Sequence, residues 1–153
     1  MLEAIELTKK GSFVDIDTVD EDLPKWLKFY RENGGDMKKL TVSSDSSITC
    51  PSTLLEQIRQ CLIDRQFLVE EVLALITSNP AKILKLDLKG AIKPGKAADL
   101  LILEKESFTL REVISSGNWL FKDGEPTFKE AFLKDSNRNI SLVGDKKVKR
   151  PER

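Results

Sequence analysis

Residues 1–87 alternate between helical periodicity and short extended runs, an order that builds βα units around a parallel sheet. Leu2, Ile5 and Leu7 fall near one face of a helical segment over residues 2–10, which Gly11 stops. Val14 and Ile16 then alternate with Asp15 and Asp17 in a strand pattern that runs into the acidic loop Val19-Asp20-Glu21-Asp22. Pro24 suits the first turn of a helix whose apolar face is Trp26, Leu27, Phe29 and Tyr30, and Asn33-Gly34-Gly35 ends it. A second strand pattern over residues 40–45 stops in a polar cluster, after which Ser52 or Thr53 is placed to cap a helix over residues 54–67. A further helix spans residues 68–77, and Asn79-Pro80 interrupts it before Ala81-Lys82-Ile83-Leu84.

From residue 88 the pattern changes to short strands and tight turns. Lys93-Pro94-Gly95-Lys96 reads as a turn and residues 99–103 as a strand. Val113-Ile114 and Trp119-Leu120-Phe121 read as two more strands, with Lys122-Asp123-Gly124-Glu125 as a hairpin turn. Residues 134–153 carry few apolar groups and are expected to form a disordered tail. Its basic run, residues 145–150, is read as a solvated terminus rather than a nucleic-acid site.

Composition removes whole classes of chemistry. The chain has 153 residues, enough for a core without disulfide or metal staples, and no His, so His-based triads and Cys/His zinc sites are excluded. Its 25 Lys and Arg balance 25 Asp and Glu, so no positive field points to a nucleic-acid partner. Cys50 and Cys61 lie too far apart for a CxxC motif and are read as reduced thiols, neither of them a nucleophile. No apolar run approaches the roughly 20 residues of a membrane span, and the amphipathic start MLEAIELTKKG is no signal peptide. The expected setting is therefore cytoplasmic, with no membrane partner.

Asp45 stands out because an acid where a strand ends and its loop begins lies on the face on which α/β enzymes build their sites. Ser43, Ser44, Ser46, Ser47 and Thr49 make the same loop dense in hydroxyls, and on the residues alone Asp45 is read first as a turn-capping residue among serines that satisfy the backbone. Asp15 and Asp17, two apart on a strand, share a face and could begin a metal motif, yet a pair without a third ligand also fits a solvent-exposed strand end. Of the two, Asp17 is the nearer neighbour of a site. Trp26, Phe29 and Tyr30 are read as packing residues.

Three segments taken together resemble a known family. They are Leu40-Thr41-Val42-Ser43-Ser44-Asp45, then Thr77-Ser78-Asn79-Pro80-Ala81-Lys82, then the run from Lys89 to Ile102 that reads KGAIKPGKAADLLI. Their order and spacing resemble the C-terminal end of the metal-dependent amidohydrolases across residues 1–130, and residues 113–127 fit that superfamily's closing strands. Within it, the resemblance is to the isoaspartyl (beta-aspartyl) dipeptidases, on residues 11–18 and 41–45.

The resemblance implies an α/β fold: the C-terminal fragment of a TIM (β/α)8 barrel, with its last two βα units over residues 1–87, followed by part of a small β-sandwich domain over residues 88–133. It implies hydrolysis of an amide bond in isoaspartyl dipeptides, with cyclic-amide hydrolysis of the dihydropyrimidinase type as the alternative. It further implies a divalent metal, zinc, as a pair in the complete enzyme, a small dipeptide or amide as substrate, and a homo-oligomer. Asp45 matches the last-strand aspartate that contacts the metal, accepts a proton from the attacking water and passes it to the leaving amine. Thr49 matches a position whose hydroxyl holds substrate, with Thr here in place of Ser. The family's His ligands have no counterpart in this chain. The isolated chain is accordingly expected to be an inactive fragment, or a truncated non-catalytic form that binds a full-length partner through exposed strands.

Overall fold

The computed structural model describes residues 1–20, 22–48 and 50–127. Helix α1 (Leu2–Lys9) opens the chain but turns inward differently from the apolar count. Ile5 and Thr8 are buried, whereas Leu2 and Leu7 are exposed. Thr8 tolerates the inward place because its hydroxyl donates to the Ile5 carbonyl at 2.7 Å. Strand β1 (Val14–Asp17) follows, then α2 (Leu23–Glu32) with Pro24 in its first turn. Leu23, Leu27 and Tyr30, at helical spacing, are the buried residues of α2. Trp26 and Phe29 meet edge to face, 6.0 Å between centroids, and pack against the core from outside. Gly35 closes the turn because a Cβ there would come within 2.3 Å of the Tyr30 ring.

A short 3-10 turn, Met37–Lys39, which the periodicity does not anticipate, leads into β2 (Leu40–Ser43). β1 and β2 pair in parallel with Val14 beside Leu40 and Asp17 beside Ser43, as the alternation of helices and strands predicts. Helix α3 (Pro51–Ile63) starts earlier than expected, with Cys50 at its N-cap and neither Ser52 nor Thr53 capping it. Pro51 sets this start, since its fixed φ suits the first helical position. Helices α4 (Val69–Ala74) and α5 (Ser78–Ile83) follow. Pro80 lies inside the first turn of α5 rather than before it, where its missing N–H has no intrahelical partner to lose.

The helices cover one face of the parallel pair. Ile16, Leu40 and Val42 are buried among Leu27, Ile58, Val72 and Leu75, while Asp15, Asp17, Thr41 and Ser43 point to the other side. The outward edge of β2 is engaged by the chain itself: Val42 N–H donates to the Leu75 carbonyl at 3.3 Å, and the Asn79 amide donates to the Leu40 carbonyl at 2.7 Å. β2 therefore does not present the bare edge that the fragment reading implies. Among the described residues the parallel sheet has two strands and closes no barrel.

The second unit is an antiparallel sheet in the order β3 (Leu100–Leu103), β4 (Leu110–Ser115), β5 (Asn118–Lys122), β6 (Glu125–Pro126). Asp123 at φ 53° and Gly124 at φ 85° make the expected tight hairpin turn, and Ser116 with Gly117 make a second. Among the described residues this four-stranded sheet and the parallel pair β1–β2 are the two sheets, so the expected β-sandwich is represented here by one antiparallel sheet. The loop between β3 and β4 docks it on the helical layer, where Arg59 Nε donates to the Ser107 carbonyl at 2.7 Å and Phe108 packs against the core. The predicted tail and Thr49 lie outside the described residues.

Candidate functional site

A parallel sheet covered on both faces is normally apolar on both. Here the face turned away from the helices carries two carboxylates and two hydroxyls, and it forms the floor of the candidate site. The Asp15 carboxylate accepts from the Thr41 hydroxyl at 2.6 Å and also from the Ser43 hydroxyl, bridging the strand pair. Asp17, paired with Ser43 at the end of the strand pair, accepts from Val19 N–H at 3.1 Å and shapes its own loop. Asp15 is thus the acid joined to the neighbouring strand, a role that strand alternation allows but cannot assign.

Beyond β2 the backbone reaches Asp45, at the end of the strand that leads into α3. Its φ is 43°, a left-handed conformation that Asp tolerates better than most residues. Its carbonyl accepts from Ile48 N–H at 2.8 Å, closing a turn, and its carboxylate accepts from the Ser47 hydroxyl at 2.8 Å. The turn-capping reading of Asp45 and the strand-end reading are thus both met by one geometry. β2 ends at Ser43, two residues short of the expected strand, so Asp45 lies in the turn that follows, and Thr49, its predicted companion, lies outside the described residues.

Two buried polar residues, Thr18 and Gln57, brace this strand end, and a third, Asn79, braces the start of β2. Thr18 donates to the Ser43 carbonyl twice, from N–H at 3.1 Å and from Oγ1 at 3.0 Å. Gln57 of α3 donates Nε2 to the Thr18 carbonyl at 2.7 Å and accepts Leu23 N–H on Oε1 at 3.0 Å. Asn79 donates to the Met37 and Leu40 carbonyls at 2.8 and 2.7 Å, holding the start of β2. A signal for Gln57 exists in the sequence: it sits on the stripe of α3 that includes Ile58, Cys61 and Leu62, where an amide must find partners.

Cys50 at the start of α3 is exposed, and the Ser52 hydroxyl donating to its sulfur at 3.0 Å holds its pKa below the usual thiol value. Metal chemistry finds less support in these residues. The chain has no His, and among the described residues no three acidic or thiol groups gather closely enough to hold an ion. Asp45 alone does not make a divalent-metal site.

Comparison with known proteins adds a family. Residues 30–125 match the model of the amidohydrolase family. The fold is similar to a beta-aspartyl dipeptidase from Fervidobacterium islandicum AW-1 solved with a beta-Asp-Leu dipeptide: TM-score 0.75 and 27% identity, covering 84% of this chain and 39% of that one. A second structure of that organism's beta-aspartyl dipeptidase gives TM-score 0.70 and 30% identity, with 84% and 36% covered. An N-acetylglucosamine-6-phosphate deacetylase from Pasteurella multocida shares the fold at TM-score 0.55 and 18% identity, over 70% of this chain and 36% of its own. Adenine deaminase of Methanosphaera stadtmanae is 38% identical over 60 residues, 39% of this chain and 11% of that protein. The chain thus spans well under half the length of each.

Proposed function

The chain belongs to the amidohydrolase family, and from that membership we propose that it forms the part of an amide hydrolase that carries the proton-transferring aspartate, Asp45, with beta-aspartyl dipeptides as substrate. One observation carries the reading: Asp45 follows the C-terminal end of a parallel strand, in a left-handed conformation, in a chain that aligns with beta-aspartyl dipeptidases. Water attacking an amide carbonyl must lose a proton, and the departing amine must gain one. A carboxylate within reach of both takes the first and returns it as the second, a contribution of about 10²–10⁴-fold. Thr49 is proposed to hold substrate through its hydroxyl. We further propose that residues 1–87 are the last two βα units of a barrel, residues 88–133 part of a β-sandwich, and residues 134–153 a tail without fixed structure.

Amidohydrolases are in general metal-dependent. The described residues do not build a metal site, so a divalent ion, zinc in our proposal, would take its other ligands from outside them, with Asp45 as the contact they supply. The isolated chain is then inactive, and the complete enzyme a homo-oligomer working in the cytoplasm. The test is leucine release from beta-Asp-Leu by the protein isolated from its source, with and without Asp45→Asn. A drop of about 10²-fold or more in kcat is expected, and hydrolysis indifferent to the substitution sinks the assignment. The likeness to adenine deaminase favours attack on a ring as a second reading, so adenine and a cyclic amide run beside the dipeptide.

A further inference from the structure

We propose that Gln57 is a positioning residue for Asp45, acting through Thr18 and the carbonyl of Ser43. Gln57 is 2% exposed and Thr18 1%. Gln57 donates to the Thr18 carbonyl at 2.7 Å. The N–H and hydroxyl of Thr18 then converge on one acceptor, the Ser43 carbonyl, at 3.1 and 3.0 Å. Ser43 stands two residues before Asp45, whose left-handed backbone needs such bracing to persist. The other half of the amide accepts Leu23 N–H at 3.0 Å, so a single side chain of α3 pins both ends of the loop between β1 and α2. Because α3 is also the helix that follows the Asp45 loop, Gln57 ties the segment after β1 to the helix after β2. A buried amide with both its atoms used sets geometry as well as packing, since no rotated or shifted arrangement satisfies both partners.

This inference rests on the reading of Asp45 as the group that moves the proton. Gln57→Glu tests it through charge at constant shape. The ionised carboxylate keeps the acceptor for Leu23 N–H but loses the donor to Thr18, whereas the protonated acid restores it. Burial raises that carboxyl's pKa, so bracing is present at acidic pH and lost as pH rises through the raised value. Amide exchange of the whole chain, corrected for intrinsic pH dependence, reads this directly. We expect Thr18 and Ile48 amides to exchange about tenfold faster than in the parent at high pH and to recover on acidification, with α4 and α5 unchanged.

Thr18→Val removes one of the two bonds to Ser43 and repeats the Ile48 effect at every pH, and Thr18→Ser restores protection, which keeps the inference open to test if Gln57→Glu does not fold. In an active preparation, Gln57→Glu lowers kcat with KM unchanged and shifts the pH profile toward acid. Unaltered Thr18 and Ile48 amides, loosening spread equally over α4 and α5, or an unaltered kcat each overturn the positioning role. Amides that respond as expected, beside leucine release that is indifferent to Asp45→Asn in protein isolated from its source, leave the bracing standing and remove the reading of Asp45 instead.

Discussion

At the scale of single residues, the two cysteines show how much position decides. Cys50 is exposed with a Ser52 hydroxyl on its sulfur, while Cys61 is fully buried and its thiol is pushed up to about 12 by burial first and by the Asp64 charge second. A disulfide-exchange reagent is therefore expected to label Cys50 at once and Cys61 only when the chain unfolds, checked by counting the thiols released with and without denaturant. The rate at Cys50 should reach half its maximum below the pH of an ordinary thiol, and Ser52→Ala should move that midpoint up; an unmoved midpoint would deny the hydroxyl its part. In sequence the two residues are equivalent, two thiols with no partner motif. The place of Asp45 just past a strand was legible because it is local in sequence, whereas which of Asp15 and Asp17 would bond the neighbouring strand's hydroxyls was not. Their difference depends on whether Thr41 and Ser43 of the neighbouring strand come within reach, which no local pattern contains.

At the scale of elements, α2 carries its own explanation: Leu23, Leu27 and Tyr30 recur at helical spacing and are buried. Leu27 has no exposure, so Leu27→Ala is expected to cost about 2–5 kcal/mol in chemical denaturation, at an unchanged slope. Gly90 offers a sharper test of backbone geometry. Its φ is +77°, and a Cβ there would sit 2.5 Å from Ala81 Cβ and 3.2 Å from the Thr77 carbonyl. Gly90→Ala should lower stability by more than about 1 kcal/mol, because it meets both a disfavoured φ and an occupied space. The helices and the longer strands were readable, the 3-10 turn Met37–Lys39 was not, and the remaining errors lie at element ends. The start of α3 moved to Pro51 and that of α5 to Ser78, since both prolines fit inside a first turn where sequence reading took Asn79-Pro80 for an interruption.

At the scale of the molecule, the helical layer and the antiparallel sheet meet at few points, and Asp99 fastens the sheet to the segment that precedes it. Its carboxylate accepts from the Lys89 ammonium, from Ser116 N–H at 2.7 Å and from the Ser115 hydroxyl at 3.2 Å. The Lys89 hydrogen bond first, and Ser116 N–H next, hold the Asp99 pKa below the ordinary carboxylate value. A depressed folded pKa means that this stabilisation is in place above the unfolded value of about 3.9 and fades as pH falls through the lower, folded one. Thermal unfolding followed by tryptophan fluorescence, to which Trp119 of β5 contributes, should show Tm falling on that acid limb. Asp99→Asn should lower Tm at neutral pH and flatten the limb; an identical acid limb in the variant would exclude Asp99 as its source. Lys89 and Asp99 sit ten residues apart around the turn at Pro94-Gly95, so their meeting depends on that turn's geometry.

The sequence by itself determined what local chemistry determines: alternating periods that make βα units, tight turns that make a meander, an acid at a strand end, and a chain without imidazole. Motif spacing added the family, because several separated segments match at once. Tertiary structure decided what depends on neighbours distant along the chain. It chose which face of α1 turns inward, gave Asp15 rather than Asp17 to the neighbouring strand, and let the chain's own Leu75 and Asn79 occupy the outer edge of β2. It also made a buried glutamine the brace of the candidate site. The physical reason is common to all of these: hydrogen-bond partners and burial belong to pairs of residues brought together by folding, whereas propensity and periodicity belong to residues adjacent in sequence.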